Sequence, residues 1–568
     1  MTENYTVYHL HSDLSTGVTN IDSVTKYQQY VDRAKECGMT AMAFSEHGSV
    51  FEWLHKKRAI EAAGMKYIHA IEVYVTEQAA PTNSTLKNVR DNYHCVLIAK
   101  NFEGFKEINK LSSGSFDRND GHFYYNPRIT FDELIHTSDN VLITTACLGG
   151  ILHNAPELLK QKFEKFLTKN KHRCFLEIQH HMEPEQISYN QYLMELGART
   201  GIPLIAGTDT HALNAEHLDV RSVLQVAKNV NFANEDAWDL SFKTYDELVG
   251  AYEKQDSIPR EKYMEAIHNT NVMADMIEEY EIDDSKKYPQ LYNDSETVFK
   301  QKIVEGMKWR GIDKLPNLQE YVDRVNYEMD TYRHNGAIDF MLLEEDYKAA
   351  MRKEAIYPGY SRGSVSGSII AYLLGITEVD SIKHGLNFER FMNKERVSLA
   401  DVDSDWYDDD REAVRKYLYN KDGLYCCDII TFNTIKLKGA IKDICRGLYR
   451  DNEDVDHLKL ANEIIALAEI DEDKARQQYP EIFKYVDIAN GVVVSVGNHP
   501  AGVVVSPFAV EGEFGTFTSK TNKYPISQIN MKEIDSLNYV KLDILGLSNN
   551  GLINKTCELA GIERLTPN

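Results

Sequence analysis

The chain contains no apolar run of about 18 residues, the length needed to cross a bilayer as a helix. Its start, MTENYTVYHLHSD, lacks the basic-then-apolar pattern of a secretory leader. These two absences exclude an apolar membrane span and an ordinary signal peptide, so the sequence reads as a cytoplasmic protein. There is no Cys-x-x-Cys pair. Eight cysteines spread over 568 residues exclude a disulfide framework and leave reduced thiols, one of them a candidate ligand. Internal repeats and low-complexity tracts are also missing. Positive charge is scarce: 63 Lys and Arg against 87 Asp and Glu give a net charge of −24, which argues against a broad basic surface. What is present is ordinary soluble-protein usage, 43% hydrophobic and 26% charged. The length suits about three or four domains.

The stretch from Pro358 to Asp410 organises the rest. It opens on Gly359-Tyr360-Ser361-Arg362-Gly363-Ser364, continues with Ser366, Gly367 and Ser368, and runs into the apolar segment Ile369 to Ile376. Glycines let a backbone approach an anion, and a following helix offers free N–H groups and a positive dipole end. Arg362 adds a planar fork for phosphate oxygens. The stretch closes on Asp401-Val402-Asp403-Ser404-Asp405. On a strand, Asp401, Asp403 and Asp405 share one face. Carboxylates crowded this way repel one another unless a hard cation sits between them, and Mg²⁺ with phosphate oxygens fits. Taken separately, a Ser/Gly loop is more often a linker and an acidic run more often a solvated face. Together in one segment they point to two-metal phosphoryl transfer.

Residues 1 to about 250 alternate β-like runs with helical patterns. TVYHLHSD, MTAMAFSEH, KYIHAIEVYV, HCVLIAK, NVLITTACLG, CFLEIQH and IPLIAGTDTH are the strand candidates. The alternation predicts a barrel of parallel strands with helices outside, whose active site gathers at strand C-terminal ends. Those ends carry His9, His11, Glu46, His47, Glu72, His94, Cys147, Asp209 and His211. A lone histidine near a strand end is usually just hydrogen-bonded. Recurrence at successive ends is a stronger signal, and imidazole, carboxylate and thiolate together favour Zn²⁺, Mn²⁺ or Fe²⁺ over Mg²⁺.

Residues 212 to about 350 read as helical. From 431 to about 490 the chain is helical again, and Lys436, Lys438, Lys442 and Arg446 form a basic cluster. By sequence alone this is an ordinary amphipathic helix pair. Strands return in VGNHPAGVVVSP and NYVKLDILGLSN. An aspartate in an apolar strand is costly unless it serves a purpose, which makes Asp543 a third candidate catalytic carboxylate. Lys541 lies two residues earlier on the same face.

These motifs, in this order, resemble bacterial C-family replicative DNA polymerases, the DNA polymerase III alpha family. The family's GRGS-x-x-GS loop stands here as Arg362-Gly363-Ser364 with Gly367-Ser368. Its F-E-R-F, E-R-V-S and D-x-D-x-D follow as Phe388 to Phe391, Glu395 to Ser398, and Asp401, Asp403 and Asp405. Gly497, His499 and Gly502 resemble its G-x-H-x-G-G-V-V segment. Lys541, Asp543, Leu545, Gly546 and Leu547 match its K-x-D-x-L-G-L. The first 250 residues resemble the PHP domain, a metal-dependent phosphoesterase fold, with His9, His11, His47, Glu72, His94, Cys147, Asp209 and His211 at its ligand positions.

The resemblance implies an α/β architecture with a PHP-type barrel at 1–250 and a helical connector at 251–350. A mixed α/β palm of the nucleotidyltransferase kind would take 351–430 and 491–568, with a helical thumb at 431–490 inserted. It implies two Mg²⁺ ions on Asp401, Asp403 and Asp543. The triphosphate would be held by Arg362, Gly363, Ser364, Arg390 and Lys541, and DNA by Lys436, Lys438, Lys442, Arg446 and His499. The alternative is a PHP phosphoesterase or 3′–5′ exonuclease with the palm as support, or else a non-catalytic platform. Three departures stand out: Ala400 where the family has proline, Glu46 where it has aspartate before the histidine, and Val18 where an acidic ligand is expected. The family's fingers and clamp-binding regions are not matched, so the expected partners are primer–template DNA, dNTPs and a second chain supplying those regions.

Overall fold

The structure is a computed structural model that describes residues 4–81, 85, 87–230, 238–395 and 402–567. It separates into two compact units. The first comprises Met1–Glu281, Ile430–Gly497 and Glu511–Lys523, and the second Ile282–Ile429, Asn498–Val510 and Tyr524–Asn568.

The first unit is built on β1 (Ala41–Phe44), β2 (Lys66–Thr76), β3 (Tyr93–Ala99), β4 (Arg128–Thr130), β5 (Val141–Thr144), β6 (Cys174–Ile178) and β7 (Leu204–Ala206). Four of these, β1, β5, β6 and β7, are short and buried along their whole length, the pattern of strands covered on both faces. The sheet order is β1-β2-β3-β5-β6-β7, with β4 beside β2. Residues 7–11 close the ring between its two ends. On one side Ala43 N–H donates to the Val7 carbonyl (2.9 Å), and on the other His11 N–H donates to the Thr210 carbonyl (2.8 Å). The all-parallel barrel expected from the sequence is corrected at one place: β3 runs antiparallel to both β2 and β5. No helix intervenes among the described residues between β2 and β3, and a reversed neighbour needs no crossover helix. This antiparallel pairing sets Glu72 of β2 two places from His94 of β3, which pairs with Tyr74. A separate apolar cluster joins helix Ala215–Lys228 to helices Leu437–Tyr449, His457–Ile470 and Pro480–Ala489 through Val220, Leu224, Ile441, Ile464 and Val486.

The second unit packs helices Ser295–Trp309, Leu318–His334 and Ile338–Lys353 around Phe299, Tyr332, Phe340, Ile369 and Ile370. The remaining strands of the chain are β8 (Ser404–Trp406), β9 (Tyr425–Thr434), β10 (Val493–Ser506), β11 (Thr516–Phe517), β12 (Ile526–Ser527) and β13 (Val540–Gly546). Within this unit the sheet runs β12-β9-β10-β13-β8. β13 alternates buried Val540, Leu542 and Ile544 with half-buried Lys541, Asp543 and Leu545, so one face joins the core and the other carries polar groups.

A buried ion pair anchors β9. The Arg415 guanidinium donates to both oxygens of fully buried Asp428 (2.6 Å each), and the Tyr419 hydroxyl donates to the same carboxylate (2.8 Å). Removing one partner strands the other charge in the core. Arg415→Ala is therefore expected to cost about 3–5 kcal/mol of stability. Chemical denaturation showing a loss below about 1 kcal/mol would contradict that role.

Candidate functional site

In the first unit, strand ends and the loops after them bring eight ionisable side chains together. Three overlapping groups have ligand atoms within 4.8 Å of one another: His11, Asp22, His47 and His211; His9, His11, Glu72 and Asp209; and His47, Glu72 and His94. Each pair of groups shares one residue, His11, His47 or Glu72. The rings of His47 and His211 both stack on His11, with centroids 4.3 Å away. Glu72 lies 3.4 Å from a ring nitrogen of His9 and of His11, and 2.9 Å from one of His47 and of His94.

Electrostatics tie these groups to one another. Burial alone would raise the Glu72 carboxyl, but His94, His47 and His9 outweigh it and hold it well below the usual range. Burial likewise opposes Asp22, and His211 and His47 overcome it to hold that carboxyl low. His11 is pushed down to about 4, first by burial and then by the neighbouring His47 and His211. His9 Nε2, His11 Nε2, His47 Nδ1, one Asp22 oxygen and one Glu72 oxygen are buried without a hydrogen-bond partner. Buried polar atoms left this way are costly unless something else satisfies them. Five of them converging, from imidazole and carboxylate, fit a centre able to hold divalent metal ions.

Asp22 and Glu177 were not singled out from the sequence. The acidic ligand missing at Val18 has a counterpart four residues on, where Asp22 places an oxygen 3.5 Å from Nε2 of both His47 and His211. Asp22 lies three residues beyond the turn Ser15–Thr19 in which an acidic ligand was expected. Glu177, at the end of β6, lies fully buried 2.6 Å from His9 Nδ1. Its oxygens also accept from Tyr8 (2.9 Å), Thr144 (2.7 Å) and Gln179 (2.9 Å). Such a carboxylate fixes the ring orientation and leaves His9 Nε2 facing the cluster.

Glu46 turns away from the cluster. Its carboxylate accepts from Ser15 (2.6 Å) and Lys56 (2.7 Å), and Lys56 holds it low against the effect of burial. Cys147 lies beside the third group, its Sγ 3.4 Å from His94 Nδ1 and 4.0 Å from Glu72 Oε1. Burial, with Asp209 and Glu72 adding, pushes its thiol well up.

In the second unit, Asp401, Arg396, Val397 and Ser398 lie outside the described residues. Parallel pairing of Ile544 with Ser404 sets Asp543 level with Asp403, one residue back along both chains. Asp403, Asp405, Asp543 and Lys541 then share the open face of the sheet. Lys541 Nζ lies 3.6 Å from Asp543 Oδ2, and Asp543 Oδ1 is buried without a partner. Arg362 reaches over from the loop, with Nη1 2.9 Å from Asp405 and Nε 3.5 Å from Asp403. Gly363, at φ +70°, has its Cβ direction 3.8 Å from Asp403 Oδ2. Ser364 is half-buried in the same short turn, Gly363–Gly367, which packs against the turn Phe388–Arg390 carrying exposed Arg390.

The phosphate cradle expected from the sequence needs one correction. The N–H groups of the helix after the loop (Ile369–Leu373) are not free: fully buried Glu328 accepts from Ile369 N–H (2.9 Å), Ile370 N–H (3.1 Å) and the Ser368 hydroxyl (2.7 Å). A protein carboxylate occupies the positive end of that helix, so any anion must be met by Arg362 and the Gly363–Gly367 turn instead. Asp535 also went unnoticed. It sits in helix Met531–Ser536, where burial raises its carboxyl, Lys541 opposes and Asp543 adds.

Lys438, Lys442 and Arg446 recur every four residues along helix Leu437–Tyr449, exposed, with Lys436 at its N-cap. Lys438 pairs with Glu469. His499 folds onto its own strand, where Gly502 N–H donates to its Nδ1 (2.8 Å).

Comparison with known proteins matches residues 8–181 to the PHP domain and residues 297–546 to the bacterial DNA polymerase III alpha NTPase domain. Curated relatives called DNA polymerase III subunit alpha are similar along nearly the whole chain. That of Borreliella burgdorferi is 29% identical, over 96% of this chain and 48% of its own. That of Aquifex aeolicus is 30% identical, over 96% and 51%, and that of Treponema pallidum 30%, over 97% and 48%. The chain spans about half the length of the curated relatives it matches.

Gly207 makes room for Glu177, since a Cβ there would lie 2.1 Å from its Oε1. Gly207→Ala, which removes no candidate ligand, and Glu177→Gln are each expected to weaken divalent-metal binding about 10- to 100-fold. Competitive titration with Mn²⁺ or Zn²⁺ reads this out, and unaltered affinity in both variants would remove the orienting role from Glu177.

Proposed function

Since the chain belongs to the bacterial DNA polymerase III alpha family, we propose that its second unit is the nucleotidyl-transfer palm of a DNA-directed DNA polymerase. The observation that carries this reading is the level placement of Asp403 and Asp543 on adjacent chains of one sheet face, with a buried Asp543 oxygen awaiting a partner. Asp401, Asp403 and Asp543 would hold two Mg²⁺ ions, which lower the pKa of the primer 3′-hydroxyl and brace the charge that develops in the in-line displacement. Arg362, Gly363, Ser364, Arg390 and Lys541 would grip the triphosphate, and Arg362 would do so as a fork. The 431–490 segment would act as the thumb, with Lys436, Lys438, Lys442 and Arg446 on duplex phosphates and His499 near the primer–template. Cytoplasmic replication is the setting this implies. A palm still requires an element that covers the nascent pair. We place that element, with clamp contacts, in polypeptide beyond these 568 residues, whether continuous or a second chain.

The barrel supports a second activity. Its donor groups are more buried and more numerous than those of the palm, and their imidazole–carboxylate mixture suits Zn²⁺, Mn²⁺ or Fe²⁺. His9, His11, Asp22, His47, Glu72, His94, Asp209 and His211, with Cys147 beside them, would hold these ions for phosphodiester hydrolysis, as a phosphoesterase or 3′–5′ exonuclease.

Two experiments separate the readings. Asp403→Ala or Asp543→Ala should lower primer extension at least about 100-fold when the chain is supplied with the rest of the family's length. Full extension by either variant would defeat the palm assignment. Metal-dependent hydrolysis of single-stranded DNA should be present in the wild type and lost in His11→Ala. Its absence from metal-loaded wild type would leave the barrel without a reaction.

A further inference from the structure

Two loops beside the barrel cluster are locked together by one buried arginine. The fully buried Arg128 guanidinium donates to the carbonyls of Val89 (2.6 Å), Asp91 (3.1 Å), Gly121 (3.0 Å) and His122 (3.2 Å), and to the Asp91 carboxylate (3.1 Å). A guanidinium satisfied in this way holds residues 88–91 against residues 121–126. The surface these loops present is unusual. The Arg90 guanidinium lies over the Tyr125 ring, its Cζ 3.7 Å from the centroid, and the Tyr124 and Tyr125 rings meet in a T-shaped contact (4.9 Å). Tyr125 is 61% exposed. Arg90 is exposed too, and among the described residues it forms no ion pair. In a chain of net charge −24, a cation with no ion pair among the described residues, stacked on an exposed aromatic ring, is not a default surface arrangement. Tyr125 also adopts φ +67°, a left-handed conformation that a bulky residue holds only under constraint.

The residues that follow Tyr125 reach the edge of the cluster. Pro127 packs on Gly48, where a Cβ would lie 2.6 Å from its ring, and Gly48 directly follows His47. Arg128 pairs with Tyr74, whose ring stacks on His47 (5.4 Å) and meets His94 edge-on (5.1 Å). Tyr125 is three residues from Arg128, at most about 10 Å of chain.

We propose that Arg90 and Tyr125 form a stacking subsite for an unpaired base of single-stranded DNA. Every base offers a π-face, so such a platform is indifferent to sequence, and the free guanidinium adds attraction to ring and phosphate. The strained backbone and the buried Arg128 clamp present ring and cation together before any ligand arrives, which limits the ordering cost of binding. A base held there would sit on the loop that leads through Arg128 to Tyr74, the ring beside His47 and His94. The subsite's purpose rests on the phosphoesterase reading of the barrel; its capacity to bind does not.

Fluorescence anisotropy of the full chain with labelled oligothymidylate and with blunt duplex DNA tests this directly. Tyr125→Gly relieves the left-handed strain, so its melting temperature should hold or rise while single-strand affinity falls about 5- to 100-fold and duplex affinity does not change. Arg90→Ala should weaken the single strand in the same direction. Unchanged oligothymidylate binding in both variants, equal losses for single strand and duplex, or no measurable wild-type binding at micromolar chain would each overturn the subsite. Wild type that binds through the pair yet never hydrolyses metal-loaded single strands would overturn the phosphoesterase reading alone. Hydrolysis that persists while Tyr125→Gly binds normally would overturn the subsite alone.

Discussion

Mutual repulsion and desolvation are the constraint around which the first unit is built. Carboxylates and imidazoles that would each prefer water are drawn to within 4.8 Å of one another in the interior, and several of their atoms find no hydrogen-bond partner. A fold keeps such a cluster only if surrounding structure over-determines it or an ion compensates it. The first condition is visible in the protein itself. The ring of strands fixes where the side chains start, and buried groups outside the cluster hold it in place: Glu177 aligns His9, and the Glu46–Lys56 pair clamps Ser12 and Ser15 beside it. Glu72 sits at the centre of the cluster, within 3.4 Å of a ring nitrogen of His9, His11, His47 and His94.

The second unit applies the same principle in a more open setting. Its carboxylates lie on the exposed face of an amphipathic sheet, and the cations Arg362 and Lys541 already stand among them. Alternation along β13 puts Lys541 and Asp543 on that face while Val540, Leu542 and Ile544 anchor the strand beneath. The candidate site and the core thus use opposite sides of one strand. Glu328 shows how narrow the division is. It satisfies the helix that follows the Gly363 loop, which stiffens the loop's base and leaves anion contact to the loop itself.

Much of this was legible in the sequence because strand periodicity is local. Ligand types recurring at the ends of short apolar runs identified His9, His11, His47, Glu72, His94, Asp209 and His211 as a set, and the structure brings them together. The alternation around Asp543 marked its strand in the same way. What sequence reading missed depended on distance or geometry. Asp22 lies three residues beyond the turn in which an acidic ligand was expected. Glu177 looks like part of an apolar strand until Gly207 is seen to make room for it. Glu328 caps a helix some forty residues away. The reversal of β3 reflects how β2 connects to it, which no periodicity records.

A centre for several divalent metal ions and a network of buried hydrogen bonds differ in what the barrel cluster would retain. Elemental analysis of the purified chain, equilibrated with Mn²⁺ or Zn²⁺ and then freed of excess, measures this most directly. Two to three ions per wild-type chain are expected, as the three overlapping donor groups imply, with a loss of more than one ion in Glu72→Gln. A wild-type chain that retains no ion, or a Glu72→Gln chain that retains as many as wild type, would contradict it.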